Sequence, residues 1–241
     1  MKPMLILLAE DLAVTSPGLH ASSGGYVELY ARGCGITPGE TVGVDITADG
    51  AVLPPVAGFA GVILSGSDAM VTEGAPWMLK AEAWIRANVR SGVPMLGVCF
   101  GQQIMTTALG GAVDWMATGP SYRTVALRLE PAAVDDPLLS ALAAEPRLQV
   151  AHSQIATRLP EGATRLACGP GGIMAARFAA SAWGVQPHPE FTAADMALVI
   201  GDSRSELAAA GKDPDAAVAA LRETPEGPAL LRRFREIVET P

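Results

Sequence analysis

Several things this 241-residue chain has little of limit what it can be. Its three cysteines, at positions 34, 99 and 168, are too few and too far apart for a disulfide framework or a paired-cysteine metal site, so each is expected as a free thiol. No apolar run approaches the roughly 18 to 20 residues that a membrane-spanning helix needs. The first eleven residues carry one Lys, a short apolar run and then Glu10 and Asp11 without a small-residue cleavage site, which does not read as a secretion signal. A cytoplasmic protein away from membranes is expected. Basic residues are also in deficit, 17 Lys and Arg against 25 Asp and Glu, giving a formal charge of -8. That balance repels phosphate backbones, and the arginines are scattered, so nucleic acid is not expected as a partner. Aromatic residues make up 5% of the chain, and its four tryptophans are read as packing residues rather than a stacking platform.

What is present is an alternation of short apolar runs and amphipathic stretches. Residues 3–9, 41–47, 59–64 and 93–98 read as strands, and residues 25–32, 75–89 and 100–109 as the helices between and after them. His20 falls in a polar stretch read as a mobile loop. Residues 123–129, 148–151, 164–168, 173–178 and 182–185 continue as short strands, with Gly169 to Gly172 as a turn. Residues 195–209, 213–222 and 227–238 then read as helices. Strand and helix alternation predicts an α/β fold, a mostly parallel central sheet with helices on both faces. The domain expectation is one unit over 1–192 and a C-terminal helical extension over 193–241, packed on the same domain. Its Ala-rich helices either cap the fold or form a homodimer seam.

Parallel sheets place chemistry at the carboxyl ends of their strands. Residues 95–103, M-L-G-V-C-F-G-Q-Q, put Gly97 and Gly101 two residues to either side of Cys99, the spacing of a nucleophile elbow with Cys in place of Ser. A helix beginning just after Cys99 points its positive end at the sulfur, which favours thiolate. Cys34 and Cys168 lack this strand-turn-helix setting and read as structural thiols. A thiol nucleophile needs a base, and the chain has only His20, His152 and His188. His188, in G-V-Q-P-H-P-E, has Glu190 two residues on. Pro189 biases His188 towards extended backbone, where side chains two apart point the same way. Glu190 is thus placed to orient the imidazole, the third role of a triad. His152, after a strand, either lines the site or satisfies a hydrogen bond.

The segments L-G-V-C-F-G-Q-Q at 96–103, G-V-Q-P-H-P-E-F at 184–191 and V-I-L-S-G-S at 62–67 together resemble the class I (triad) glutamine amidotransferases, in style the stand-alone GMP-synthase-like members. The resemblance runs from about residue 40 to 192. It implies a flavodoxin-like three-layer sandwich in which Cys99 attacks the side-chain amide of glutamine, ammonia leaves, and water cleaves a glutamyl thioester. His188 acts as base and then acid, and Glu190 orients it. By motif position the oxyanion sits against the backbone N–H groups of Ser67 and Phe100, and Gly66 and Gln103 help to hold the substrate. Neither cofactor nor metal is implied. Ser67, Gln102 and Pro187 depart from the family's usual residues without touching the triad.

No synthase domain is evident beyond the amidotransferase-like part. Ammonia made here therefore goes to a separate synthase partner, or the chain acts alone as a hydrolase of glutamine or another γ-glutamyl amide. A binding module without activity is the third reading.

Overall fold

The computed structural model describes residues 2–240. In chain order the elements are β1 (Met4–Leu8), α1 (Leu12–Thr15), α2 (Pro17–Ser23), α3 (Tyr26–Cys34), β2 (Thr41–Asp45), β3 (Gly61–Leu64), α4 (Pro76–Asn88), β4 (Met95–Val98) and α5 (Phe100–Ala108). The strands β5 (Ala112–Trp115), β6 (Ser121–Ala126), β7 (Arg128–Leu129), β8 (Arg147–His152), β9 (Gln154–Arg158), β10 (Thr164–Gly169), β11 (Gly172–Ala179) and β12 (Ala182–Val185) follow. Four helices end the chain: α6 (Ala193–Asp202), α7 (Arg204–Ala209), α8 (Pro214–Ala219) and α9 (Glu226–Glu239).

Eight strands form one sheet in the order β2-β1-β3-β4-β12-β11-β10-β7. The first five run parallel, and β11, β10 and β7 continue the sheet antiparallel. Two ribbons, β5-β9 and β6-β8, stand outside it. Because side chains alternate along a strand, β1 sends Met4 and Ile6 into one core and Leu5 and Leu7 into another. The first core includes Leu19 of α2, Leu29 of α3, Ile200 of α6 and Phe234 of α9. The second takes Met78 and Ile85 of α4 and Ile104 and Met105 of α5. Burial on both faces explains why β1, β3 and β4 are continuous apolar runs. The architecture is the expected three-layer, mostly parallel α/β sandwich.

The structure corrects the sequence reading in several places. His20 lies in α2, not in a loop. The Asp202 carboxylate, at the end of α6, accepts from the N–H groups of Gly18 and Leu19 and from the Ser16 hydroxyl, at 3.0, 3.3 and 2.8 Å, and so satisfies the open amides of the first turn. The strand expected over 123–129 is divided, β6 pairing with β8 and β7 with β10. The helix expected over 195–209 breaks at Ser203 into α6 and α7. Trp115 is 59% exposed at the end of β5 and packs into no core.

Candidate active site

Cys99 sits between β4 and α5 with φ 52° and ψ -106°, the one non-glycine residue among the described residues at positive φ. Such backbone costs of order 1–3 kcal/mol and persists where its surroundings dictate it. Here the Cys99 N–H donates to Val185 O of β12 at 2.8 Å, and the Gly101 N–H to Ser65 O at 3.1 Å. The flanking glycines are steric necessities. A Cβ on Gly97 would come within 2.5 Å of the Gly101 carbonyl, and one on Gly101 would collide with Leu64 O. The Cys99 thiol faces Ala151 O at 3.5 Å and accepts from Gln186 Nε2 at 3.4 Å.

Beyond β12, His188 is held by its N–H on Gln149 O at 2.8 Å. The His188–Glu190 segment is not extended as the sequence suggested. It makes a single bridge to Gln149 and then turns, the Phe191 N–H reaching His188 O at 3.4 Å. The pairing is nevertheless made: His188 Nδ1 lies 2.8 Å from Glu190 Oε1. A carboxylate only accepts, so Nδ1 carries a proton and Nε2 is the free ring nitrogen, buried without a hydrogen-bond partner. The Phe191 ring stacks on the imidazole at 4.5 Å with 5° between the planes. Burial disfavours a charged imidazole, but Glu190 and the Cys99 sulfur outweigh it and hold the His188 pKa well above its ordinary value.

The structure also brings the other sequence-derived candidates to this point. The N–H groups of Ser67 and Phe100 make no hydrogen bond among the described residues. Ser67 is fixed by its hydroxyl donating to Ala9 O at 2.9 Å. Gly66 lies against the imidazole, where a Cβ would stand 2.9 Å from His188 Cε1 and 2.7 Å from the Tyr26 hydroxyl. Gln103 lines the cavity beside Cys99 while its Nε2 donates to Gln154 O at 2.8 Å and Gln186 Oε1 at 3.1 Å. His152 is the last residue of β8 and lines the same cavity. Cys34 is fully buried, and burial pushes its thiol up to about 12. Cys168 is half-buried on β10, away from the cavity, and accepts from Arg128 Nη2 at 3.0 Å.

Other contributors carried no local signal in the sequence. Tyr30 of α3 donates to Glu190 Oε1 at 3.3 Å, and Arg32 Nη2 to Glu190 O at 3.2 Å. Glu10, Asp68 and Glu206, from three distant parts of the chain, stand around the cavity mouth. Among the described residues no group of acidic, histidine and cysteine side chains is arranged to hold a metal ion. The structure thus sets a buried imidazole–carboxylate pair and a thiol on one cavity at the end of a parallel strand of a flavodoxin-like fold.

The family model for class-I glutamine amidotransferases matches residues 36–200, and the chain belongs to that family. Among curated relatives, a GMP synthase (glutamine-hydrolyzing) of Prochlorococcus marinus is 37% identical over 135 residues, covering 54% of this chain and 24% of that protein. A gamma-glutamyl-L-1-hydroxyisopropylamide hydrolase of a Pseudomonas species is 29% identical over 162 residues, covering 64% of this chain and 54% of that protein. The chain thus spans about a quarter of the one and about half of the other. A solved glutamine amidotransferase of Thermotoga maritima superposes over 100% of both chains with a TM-score of 0.77 at 20% identity, a likeness of fold.

Proposed function

We propose that the chain hydrolyses the side-chain amide of glutamine, or of another γ-glutamyl compound, through a thioester on Cys99, with His188 moving the proton and Glu190 orienting His188. The observation that carries this reading is the 2.8 Å pairing of His188 Nδ1 with Glu190 Oε1, which leaves Nε2 free in the cavity that Cys99 lines. In the first step the thiol proton goes to Nε2 and the sulfur attacks the amide carbon. The carbonyl oxygen takes the negative charge against the open N–H groups of Ser67 and Phe100, donors of a kind worth about 3–4 kcal/mol each. Collapse breaks the C–N bond, and Nε2 returns its proton to the leaving nitrogen. Water then adds to the thioester through the same base, releasing the γ-carboxylate and the thiol. Gly66 and Gln103 border the substrate, and no step calls for a cofactor.

The domain reading is part of the proposal: residues 1–192 carry the reaction, and 193–241 form a helical extension of the same domain. It is supported by Leu231 and Phe234 of α9 lying in the core shared with α3. The test is release of ammonia and glutamate by the purified chain given glutamine, beside a panel of γ-glutamyl amides. Turnover lost in Cys99→Ala and retained in Cys34→Ala is the expected result. Turnover that survives Cys99→Ala overturns the reading.

The similarity to a GMP synthase supports a second form, in which this chain is the glutaminase subunit of a separate ammonia-using synthase. Glutaminase activity that rises at least about tenfold on adding the partner supports it; full activity of the isolated chain counts against it.

A further inference from the structure

Besides the imidazole, the Cys99 sulfur has two polar neighbours that favour opposite states of it. The Ala151 carbonyl, at 3.5 Å, can only accept, and so favours the protonated thiol. The Gln186 amide, with Nε2 at 3.4 Å, can only donate from that atom, and so favours the thiolate. Once the thiol proton has passed to His188, the carbonyl has nothing left to accept, and Gln186 is the uncharged donor that faces the charge.

The strand pairing puts Gln186 there. It is the residue after β12, where Val185 O accepts from the Cys99 N–H at 2.8 Å while the Gln186 N–H turns the other way, to Met174 O of β11 at 2.8 Å. Its side chain is fully buried and lines neither part of the cavity at Cys99. It therefore meets the sulfur from the protein side, where a bound substrate does not displace it.

Gln103 decides which end of the Gln186 amide faces the sulfur. The Gln103 NH2 has two protons and two acceptors, Gln154 O at 2.8 Å and Gln186 Oε1 at 3.1 Å. Gln186 must then turn its oxygen to Gln103 and its NH2 to Cys99, since the flipped amide would set two NH2 groups against each other and an oxygen against the thiolate. With its NH2 spent in this way, Gln103 keeps only Oε1 for a substrate.

We infer that Gln186 is a further catalytic residue, whose amide N–H stabilises the Cys99 sulfur in its charged state, and that Gln103 is the positioning residue that orients that amide. The inference deepens the reading of Cys99 as nucleophile and gives the donor two moments of use. Before attack it favours the thiolate and imidazolium over the neutral pair. In the second step water adds to the thioester, the C–S bond breaks, and its electron pair returns to the sulfur, where the Gln186 N–H meets it until Nε2 restores the proton.

The test is the pH profile of alkylation by iodoacetamide, followed on the Cys99 peptide by mass spectrometry so that Cys34 and Cys168 do not contribute. Its midpoint belongs to the coupled Cys99–His188 pair. In Gln186→Met, which keeps the side chain's length and removes the donor, the midpoint is expected to rise by about one unit. Gln103→Met leaves the donor present but unoriented, and a smaller rise in the same direction is expected. Gln102→Met is the control: Gln102 is just as buried, but its Nε2 donates to Ile173 O at 3.2 Å and not to the sulfur, so its loss is expected to leave the midpoint in place. A midpoint unchanged in Gln186→Met, or raised as far in Gln102→Met, overturns the inference. Should Gln186→Met not fold, Gln103→Met decides, and the absence of a rise there overturns it. The profile needs no γ-glutamyl compound, and glutamine hydrolysis by the wild-type chain is measured beside it. Silence on glutamine with the expected rise in Gln186→Met strikes the substrate reading and leaves the role of Gln186 standing.

Discussion

Tyr30 and His188 meet on one oxygen: Glu190 Oε1 accepts from the Tyr30 hydroxyl at 3.3 Å and faces His188 Nδ1 at 2.8 Å. Tyr30 is buried, and burial together with Glu190 raises its pKa well above the ordinary value, so the phenol stays a donor throughout the usable pH range. Tyr30→Phe keeps the stack on Tyr26, whose ring centre is 5.6 Å away, and removes only the hydroxyl. A hydrogen bond to a charged group is worth about 1.5–3 kcal/mol, so kcat is expected to fall about tenfold or more with KM little changed. Steady-state kinetics checks this.

Gly66 is where the smallest side chain does the most local damage. A methyl there meets both the imidazole and the Tyr26 hydroxyl, so Gly66→Ala has to displace His188. A misplacement of about 1 Å at a reacting group can cost about 100-fold in rate, and a loss of that order in kcat/KM is expected. Gly58→Ala, whose methyl meets nothing within 4 Å, is the control and should leave activity unchanged.

The backbone of Cys99 inverts an ordinary rule. Glycine is usually less stabilising than alanine, but backbone at φ 52° and ψ -106° costs an L side chain about 1–3 kcal/mol. Cys99→Gly is therefore expected to be about 1 kcal/mol more stable than Cys99→Ala, both being inactive. Urea denaturation of the two proteins decides the order.

His152 makes stability depend on pH. Its folded pKa, lowered to about 4 by burial, lies below the ordinary histidine value. The unfolded chain then binds the proton first, so stability is full above the unfolded pKa of about 6.5 and is lost as pH falls towards 4. That difference corresponds to about 3 kcal/mol at most. His152→Asn, which cannot charge, should lose correspondingly less stability between pH 7 and 4.5 in denaturant titrations.

Much of the fold was legible because burial writes itself into composition. β1, β3 and β4 are apolar on both faces, and the glycines around Cys99 announce a turn that few other sequences could make. β5 and β9 were not legible, being short, mixed in polarity and paired only with each other. α2 has no strong apolar period, and its capping carboxylate, Asp202, lies more than 180 residues away. The pairing of His188 with Glu190 was readable from their spacing, although the backbone that achieves it is a turn. Tyr30, Glu10 and Glu206 were invisible as site residues because they come from separate parts of the chain, Tyr30 to the buried Glu190 and the two carboxylates to the cavity, and only the folded chain relates them.

The last helix bears on how the molecule comes apart. The Cα of Gly227, in the first turn of α9, faces the Pro189 carbonyl so closely that a Cβ there would stand 2.6 Å from its oxygen, and Leu231 further along presses on Gly33 of α3. The same helix thus buttresses the turn that carries His188 and Glu190 and the helix that carries Tyr30. When α9 detaches, both supports go together, and the site becomes one cooperative opening unit with the chain's end. Amide protons of α9, α3 and residues 188–191 would then exchange with a common free energy, and catalysis would fade on heating before the parallel strands melt.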